Sequence, residues 1–318
     1  MRAIRVHAWG QPPVMEERAE PQPSPGRTLV RMQAATVGHI DRSVWGGNFP
    51  RHPPLPYTPG LEAAGVVLAS ERFAVGARVW LRGGGLGTQT DGTWCDVIDA
   101  PDACIGALPD NVSMPLGSAF FSPCTSAWVA LHEVGALREG EHVLVTGASG
   151  AVGSIAVQLA LQMGARVSAV VSDAGQAAAL PAGVQAVIVD RSSPDGLDTA
   201  GLDKIGADLL IDTVGGAVLV AALPGVVPGG RAVLVGYTGG TAFTLDLAHF
   251  CLRDVALLPL NMLRRDAAGR AVAEELLARI GDGRLQLAVT TFPLAEAARA
   301  LEWITQRGHR GRAVLVAD

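Results

Sequence analysis

The most chemically loaded stretch of the chain is Gly147-Ala148-Ser149-Gly150-Ala151-Val152-Gly153. An apolar, strand-like run, Glu141 to Thr146, leads into it. A helical stripe of Val152, Ile155, Ala156, Leu159, Ala160 and Met163 leads out, with Gly164 as the stop. A dinucleotide pyrophosphate needs such a strand–turn–helix: a tight bend, close approach of the backbone, and tight packing of helix on strand. Gly150 and Gly153 meet the second and third needs, and Ala148 stands where the first glycine of G-x-G-x-x-G would be. The freed N–H groups at the helix start, over Ser149, Gly150, Ala151 and Val152, and the helix dipole would then attract phosphate. Two other readings apply to the same residues. One is a purely structural turn. The other is a hydrolase, because Gly147-Ala148-Ser149-Gly150-Ala151 is a near miss to the G-x-S-x-G nucleophile elbow. That reading lacks the final glycine, and its only downstream histidines, His249 and His309, have no characteristic setting. The continuing strand–helix alternation favours the dinucleotide.

The frame that would position this turn is legible in the apolar runs. Arg166 to Val171, Ala186 to Asp190, Ala207 to Asp212 and Arg231 to Gly236 are unbroken rather than alternating. Strands buried on both faces of a parallel sheet read that way, so a doubly wound α/β domain is expected from about Met114 onward. The first third is different. Short runs at Thr28 to Met32, Gly65 to Ala69 and Ala77 to Leu81 lie between proline- and glycine-rich turns, and the reading is an irregular, mostly β domain. A further strand at Val255 to Leu260, helices at Ala267 to Ile280 and Leu294 to Gln306, and a strand at Arg312 to Val316 close the chain. This tail is expected to complete the first domain.

Composition excludes several functions. Hydrophobic residues are 49% and charged residues 17%, which suits folded cores. The net charge of −5 disfavours nucleic acid and anionic membranes, both of which need a basic face. Cys95, Cys104, Cys124 and Cys251 form no CxxC pair, so neither a disulfide framework nor a thiolate zinc cluster is supported. No apolar stretch suits a signal peptide or membrane span, and a cytoplasmic location is expected.

Leu55-Pro56-Tyr57-Thr58-Pro59-Gly60 with Ala64-Gly65-Val66-Val67, the run Val143 to Gly153, Ile211-Asp212-Thr213-Val214-Gly215-Gly216, and Gly229 to Gly236 together mark a known pattern. The chain resembles the medium-chain dehydrogenase/reductases, specifically their zinc-independent quinone oxidoreductase branch. The resemblance implies a GroES-like catalytic domain at 1–115 and 263–318 and a Rossmann dinucleotide-binding domain at 116–262. Zinc-dependent relatives place a cysteine, a histidine and a cysteine where this chain has Gly38, Leu61 and Phe121, none of which binds zinc. Gly83 to Trp94, which matches the structural zinc lobe, holds no cysteine. His39, Asp41 and Glu62 read as hydrogen-bonding residues rather than a new metal site, and Cys124 as a small buried hydrophobe. The zinc-free branch usually has asparagine at Gly38, proline at His39 and tyrosine at Ser43. These departures bear on acceptor identity.

An NAD enzyme usually ends its second strand with an acid that binds the ribose hydroxyls, and here that position is Val171. NADPH is therefore the expected cofactor. Ser172 and Arg191 are candidate partners for its 2′-phosphate. Asp173 argues for NADH, and the lysine of NADP-binding relatives appears as Gly175 or Gln176. Val235, Gly236 and Tyr237 follow the fifth strand, at the sheet edge where ligands bind. Asn261 and Met262 follow the sixth. The resemblance puts Thr125 near the nicotinamide and Arg312 at the pyrophosphate. Without a Lewis acid, the expected acceptor is a small electrophile, a quinone or an α,β-unsaturated carbonyl, whose conjugation spreads the developing charge. The final proton comes from water or a weak side-chain acid, and no residue stands out for that role. Asp41 reads as a structural hydrogen-bonder. Relatives pair their sixth strands, so a homodimer is expected through Val255 to Leu260, with Pro259 shortening the seam. A non-catalytic NADPH-binding protein is the main alternative of another class.

Overall fold

The computed structural model describes residues 1–189, 201–306, 308 and 310–317. In chain order its elements are β1 (Arg2–Arg5), β2 (Val14–Glu17), β3 (Arg27–Val37), α1 (His39–Trp45), β4 (Glu62–Ala69), β5 (Arg78–Arg82), β6 (Val97–Pro101) and β7 (Ile105–Ala107). Then come α2 (Met114–Ala119), α3 (Phe121–Val129), β8 (His142–Val145), α4 (Ala151–Gln162), β9 (Arg166–Val171), α5 (Ala174–Ala177), β10 (Gln185–Ile188) and β11 (Ala207–Asp212). The rest are α6 (Gly216–Ala222), β12 (Val226–Leu234), α7 (Leu247–Arg253), β13 (Ala256–Pro259), α8 (Asp266–Gly281), β14 (Val289–Pro293), α9 (Ala297–Trp303) and β15 (Arg312–Val316).

The chain forms two compact units, Met1–Phe121 with Leu277–Asp318, and Ser122–Leu276. The first is built on a sheet in the order β14-β15-β3-β4-β5-β7, with β6 also paired to β3, and carries a separate β1-β2 ribbon. Its core gathers Met32, Leu81, Trp94, Ile98, Phe292 and Leu301, so the segment from Leu277 onward completes the β domain. Helix α2 packs on β3, β4 and β15 and so stays with this unit.

The second unit holds a sheet of parallel strands in the order β10-β9-β8-β11-β12-β13, the doubly wound arrangement. Every residue of β8 is buried, as are all but the first of β9. That is the physical basis of the unbroken apolar runs. Some boundaries differ from the sequence reading. Strand β12 begins at Val226 and ends at Leu234, with a register shift against β11, so Val235 and Gly236 lie in the following loop. The last helix opens as a 3₁₀ turn, Leu294–Glu296, and ends at Trp303. Among the described residues, no helix is long and apolar enough to cross a membrane.

Candidate active site

The glycine turn joins β8 to α4, and its geometry divides the labour differently from the motif. Gly147, not the position of Ala148, makes the tight bend: its φ is +60°, in the region that L residues avoid. A Cβ at Gly153 would sit 2.2 Å from the Gly147 carbonyl oxygen, so only glycine lets α4 close onto the turn. Gly150 is the N-cap, with no side-chain cap, and the first helical turn runs through Ala151 and Val152. The opening N–H groups of a helix have no intrahelical acceptor, and the first bond back to the turn is Ser154 N–H to Gly150 O at 2.9 Å. Ser149, Gly150, Ala151 and Val152 are all half-buried, close enough to the surface for a phosphate to reach them.

Beside this turn, the carboxyl ends of β8 and β11 are locked by a polar network that the sequence reading used only as a landmark. Thr146 Oγ1 donates to Asp212 Oδ1 at 2.5 Å, the Gly215 N–H to Asp212 Oδ2 at 2.8 Å, and Thr213 Oγ1 to the Thr146 carbonyl at 2.8 Å. Asp212 is fully buried, and burial raises its pKa while these hydrogen bonds pull it down. The available signal was a polar residue closing each apolar run. From this network the next loop is hung. Val235 and Gly236 donate their N–H groups to the Asp212 carbonyl at 2.8 and 3.2 Å. Tyr237, in the same loop, is 60% exposed.

At the end of β9, Val171 is buried and Ser172 follows it at the surface. Asp173 is committed as the N-cap of α5: its Oδ1 accepts the Gln176 N–H at 2.8 Å, and its Oδ2 lies 3.4 Å from Ser172 Oγ. Ser172 Oγ also donates to Gln176 Oε1 at 3.0 Å. Arg191 lies outside the described residues. Near α8, Thr125 and Met262 come together: a Cβ on Gly269 would meet Thr125 Cβ at 3.1 Å and Met262 Cε at 3.4 Å. Asn261 is exposed, and its Oδ1 accepts the Leu263 N–H at 3.0 Å and the Arg264 N–H at 3.3 Å, so its carbonyl shapes a turn.

Arg312 belongs to the first unit, apart in the chain from the other candidates. Its Nη1 lies 2.7 Å from Glu62 Oε2 and donates to the Ala119 carbonyl at 3.2 Å. Glu62 also pairs with Arg82 at 3.6 Å, and Arg82 stacks over Phe121, 5.1 Å from the ring centre. A Cβ on Gly38 would meet only Arg312 Nη2 at 3.0 Å and Asp41 Oδ2 at 3.5 Å. Asp41 sits in the first turn of α1, where Oδ2 accepts the Gly38 N–H at 2.8 Å. It is 3% exposed. Burial, opposed by the Gly38 N–H and then by Arg312, pushes its carboxyl up to about 7. Cys124 is fully buried. Among the described residues, no group of three or more His, Cys, Asp or Glu side chains could hold a metal ion.

Residues 24–114 match the alcohol dehydrogenase GroES-like domain family, and residues 182–315 match the zinc-binding dehydrogenase family. The human quinone oxidoreductase is 30% identical over 75% of this chain and 74% of its own length. A quinone oxidoreductase structure from Pseudomonas syringae superposes with a TM-score of 0.85 at 26% identity, covering 99% of each chain. The Thermus thermophilus quinone oxidoreductase, solved alone and in complex with NADPH, gives a TM-score of 0.79 at 26% identity over 99% of this chain and 100% of that one.

Proposed function

Because the chain belongs to the medium-chain dehydrogenase/reductase superfamily, in its quinone oxidoreductase branch, we propose that it is an NADPH-dependent reductase that passes hydride to a quinone or an α,β-unsaturated carbonyl without zinc. The Gly147–Gly153 turn carries this reading. It offers a bend, a close approach and open N–H groups at a helix start, which together suit a pyrophosphate. A nicotinamide cofactor whose pyrophosphate is held there would supply the hydride. The protein's part is to hold the cofactor through Ser149, Gly150, Ala151 and Val152, to line its ring end with Thr125, Val235, Gly236, Tyr237, Asn261 and Met262, and to offer Arg312 to the phosphates.

The preference for the 2′-phosphate rests on the end of β9. Val171 carries no charge, and the Asp173 carboxylate is turned onto the α5 N-cap rather than left idle for ribose hydroxyls. Ser172 would turn its hydroxyl from Gln176 Oε1 to the phosphate, joined by Arg191. The relative solved with NADPH supports the same choice. The zinc-free reading rests on donor chemistry. Gly38, Leu61 and Phe121 have no ligand atoms, and Glu62 is committed to Arg312 and Arg82. Conjugated acceptors suit such a site because they delocalise the incoming electron pair. The same proposal includes a homodimer formed at β13, which is an edge strand.

Steady NADPH oxidation with a panel of quinones and enones, after dialysis against a chelator, tests the reading. Turnover with NADPH favoured over NADH, undiminished by the chelator, is expected. Tight NADPH binding with no turnover on any acceptor would make the chain a non-catalytic binder. The hydrolase reading finds no support at Ser149: among the described residues no histidine hydrogen-bonds it, and His249 sits exposed on α7. A fluorophosphonate is expected to leave Ser149 unlabelled.

A further inference from the structure

The second unit carries a cavity of about 190 Å³ that the proposed cofactor site does not use. Val220 on α6, Leu223, Leu245, Phe250 on α7 and Val255 form its apolar walls. Leu223 leads into β12 and Val255 into β13, so these two walls lie at the amino ends of parallel strands. The Gly147–Gly153 turn follows the carboxyl end of β8, at the opposite edge of the same sheet. No residue of the turn lines the cavity. An apolar cavity of about 150 Å³ already takes benzene, so this one has room for a single ring or a short branched chain.

The cation on its wall is Arg253, the half-buried last residue of α7. Of its three nitrogens only Nη2 has acceptors, the Pro224 carbonyl at 2.8 Å and the Val226 carbonyl. Nε is buried with no partner, and Nη1 makes no hydrogen bond among the described residues. Nor does any described carboxylate pair with this guanidinium. Arg231, half-buried in the same unit, has Glu141 at 2.7 Å. Nearby acids are otherwise placed. Asp246 is exposed at the cavity rim, where its Oδ1 accepts the His249 N–H at 2.9 Å as the cap of α7. Asp254 is exposed in a left-handed conformation just past the helix. A guanidinium drawn partly out of water without a counter-charge is costly, and such groups are normally paired.

We propose that this cavity binds a small carboxylate with an apolar body, a single aromatic ring or a short branched chain, whose carboxylate faces Arg253. The body gains from leaving water for the walls of α6 and α7. The head supplies the counter-charge that the fold does not, through charge-assisted hydrogen bonding to the guanidinium. The acidic side chain of a partner protein would bring the charge without the apolar body that the walls suit. Occupancy also has a consequence for α7. None of its residues is buried, and it meets the core of its unit through the half-buried Phe250. A segment with so few apolar contacts opens readily. A ligand that touches Val220, Phe250 and Arg253 together ties α7 to α6 and slows that opening.

Benzoate and its uncharged counterpart benzamide test this on the full chain, titrated by NMR of the leucine and valine methyl groups. Benzoate is expected to shift Leu223, Leu245 and Val255, with or without NADPH, and to bind about 10-fold more tightly than benzamide, the order that one hydrogen bond to a charged group represents. Hydrogen exchange of the α7 amides is expected to slow at saturation. Val220→Trp, which fills the cavity, should abolish the benzoate shifts and leave NADPH affinity unchanged. Arg253→Gln should bind the two probes equally. Benzoate and benzamide binding alike to the wild type, or neither binding, would overturn the proposal. So would benzoate shifts that survive Val220→Trp, displacement of benzoate by NADPH, or α7 exchange unaltered at saturation. Should Arg253→Gln fail to fold, the wild-type preference and the Val220→Trp titration still decide.

Discussion

Asp212 and Asp41 are both buried carboxyls whose pKa burial raises, yet their surroundings are opposite. Asp212 is saturated: Thr146 and the Gly215 N–H hold its two oxygens, and its own backbone carbonyl anchors the loop at Val235 and Gly236. Asp41 has one oxygen held by the Gly38 N–H and the other idle. A saturated buried carboxyl is framework, since its energy is spent inside the fold. A half-saturated one leaves a buried oxygen without a partner, which costs stability. The saturated carboxyl lies in the parallel-sheet unit, the proposed cofactor platform, and the half-saturated one in the β unit.

Four changes break or sharpen this contrast. The largest effect is expected on the platform itself. Gly153→Val forces side-chain atoms against the Gly147 carbonyl, already 2.2 Å from a Cβ, and NADPH affinity should collapse by more than about 100-fold, the order that a lost 3 kcal/mol of fit represents. Fluorescence titration reads it, and near-native affinity would mean that α4 does not close on the turn. Next, Asp212→Ala strands Thr146 and the Gly215 N–H in a dry site, and urea unfolding should show about 3 kcal/mol of lost stability. A loss below about 1 kcal/mol would remove the network from the framework.

The third change inverts the expectation. The folded pKa of Asp41 is raised, from an ordinary 3.8 to about 7, so the folded state binds more protons than the unfolded one across that window. The stability tied to its proton is therefore complete below the ordinary value and is lost as pH rises through about 7. Asp41→Asn cannot ionise and should overtake the wild type in stability as pH climbs through the window. Parallel curves from pH 4 to 8 would contradict the raised value. The smallest effect concerns His142, buried on β8 with Nε2 2.9 Å from Ser168 Oγ. Burial, and then Arg166, lower its pKa. Its contribution is present above the ordinary histidine value of 6.5 and is lost as pH falls below it. His142→Asn should flatten that acid limb of the stability profile, and an unchanged limb would place the cause elsewhere.

Much of the platform was legible in the sequence because burial on both faces of a sheet leaves no choice but continuous apolar runs. Arg166 to Val171 and Ala207 to Asp212 match their strands residue for residue. The turn's location was legible too, though not its division of labour, because a motif counts glycines and cannot show that the bend falls at Gly147. Helices α1, α2 and α3 were missed. They are short or, in α3, mixed in character, and they form through caps and packing rather than through a periodic stripe: Asp41 caps α1, and Ser113 caps α2. For the same reason Asp41 read as an ordinary hydrogen-bonder. What sets it apart is burial with one oxygen unpartnered, which no spacing along the chain encodes.

The central claim, hydride delivery by a cofactor seated on the Gly147–Gly153 turn, is tested most directly by isotope transfer. NADPH carrying deuterium at the transferable C4 position is incubated with an enone and this protein, and the product is read by mass spectrometry and NMR. The account predicts one deuterium at the β-carbon, with the α-carbon hydrogen drawn from solvent. Reduced product with no deuterium from the cofactor, or radical products of one-electron transfer, would contradict it.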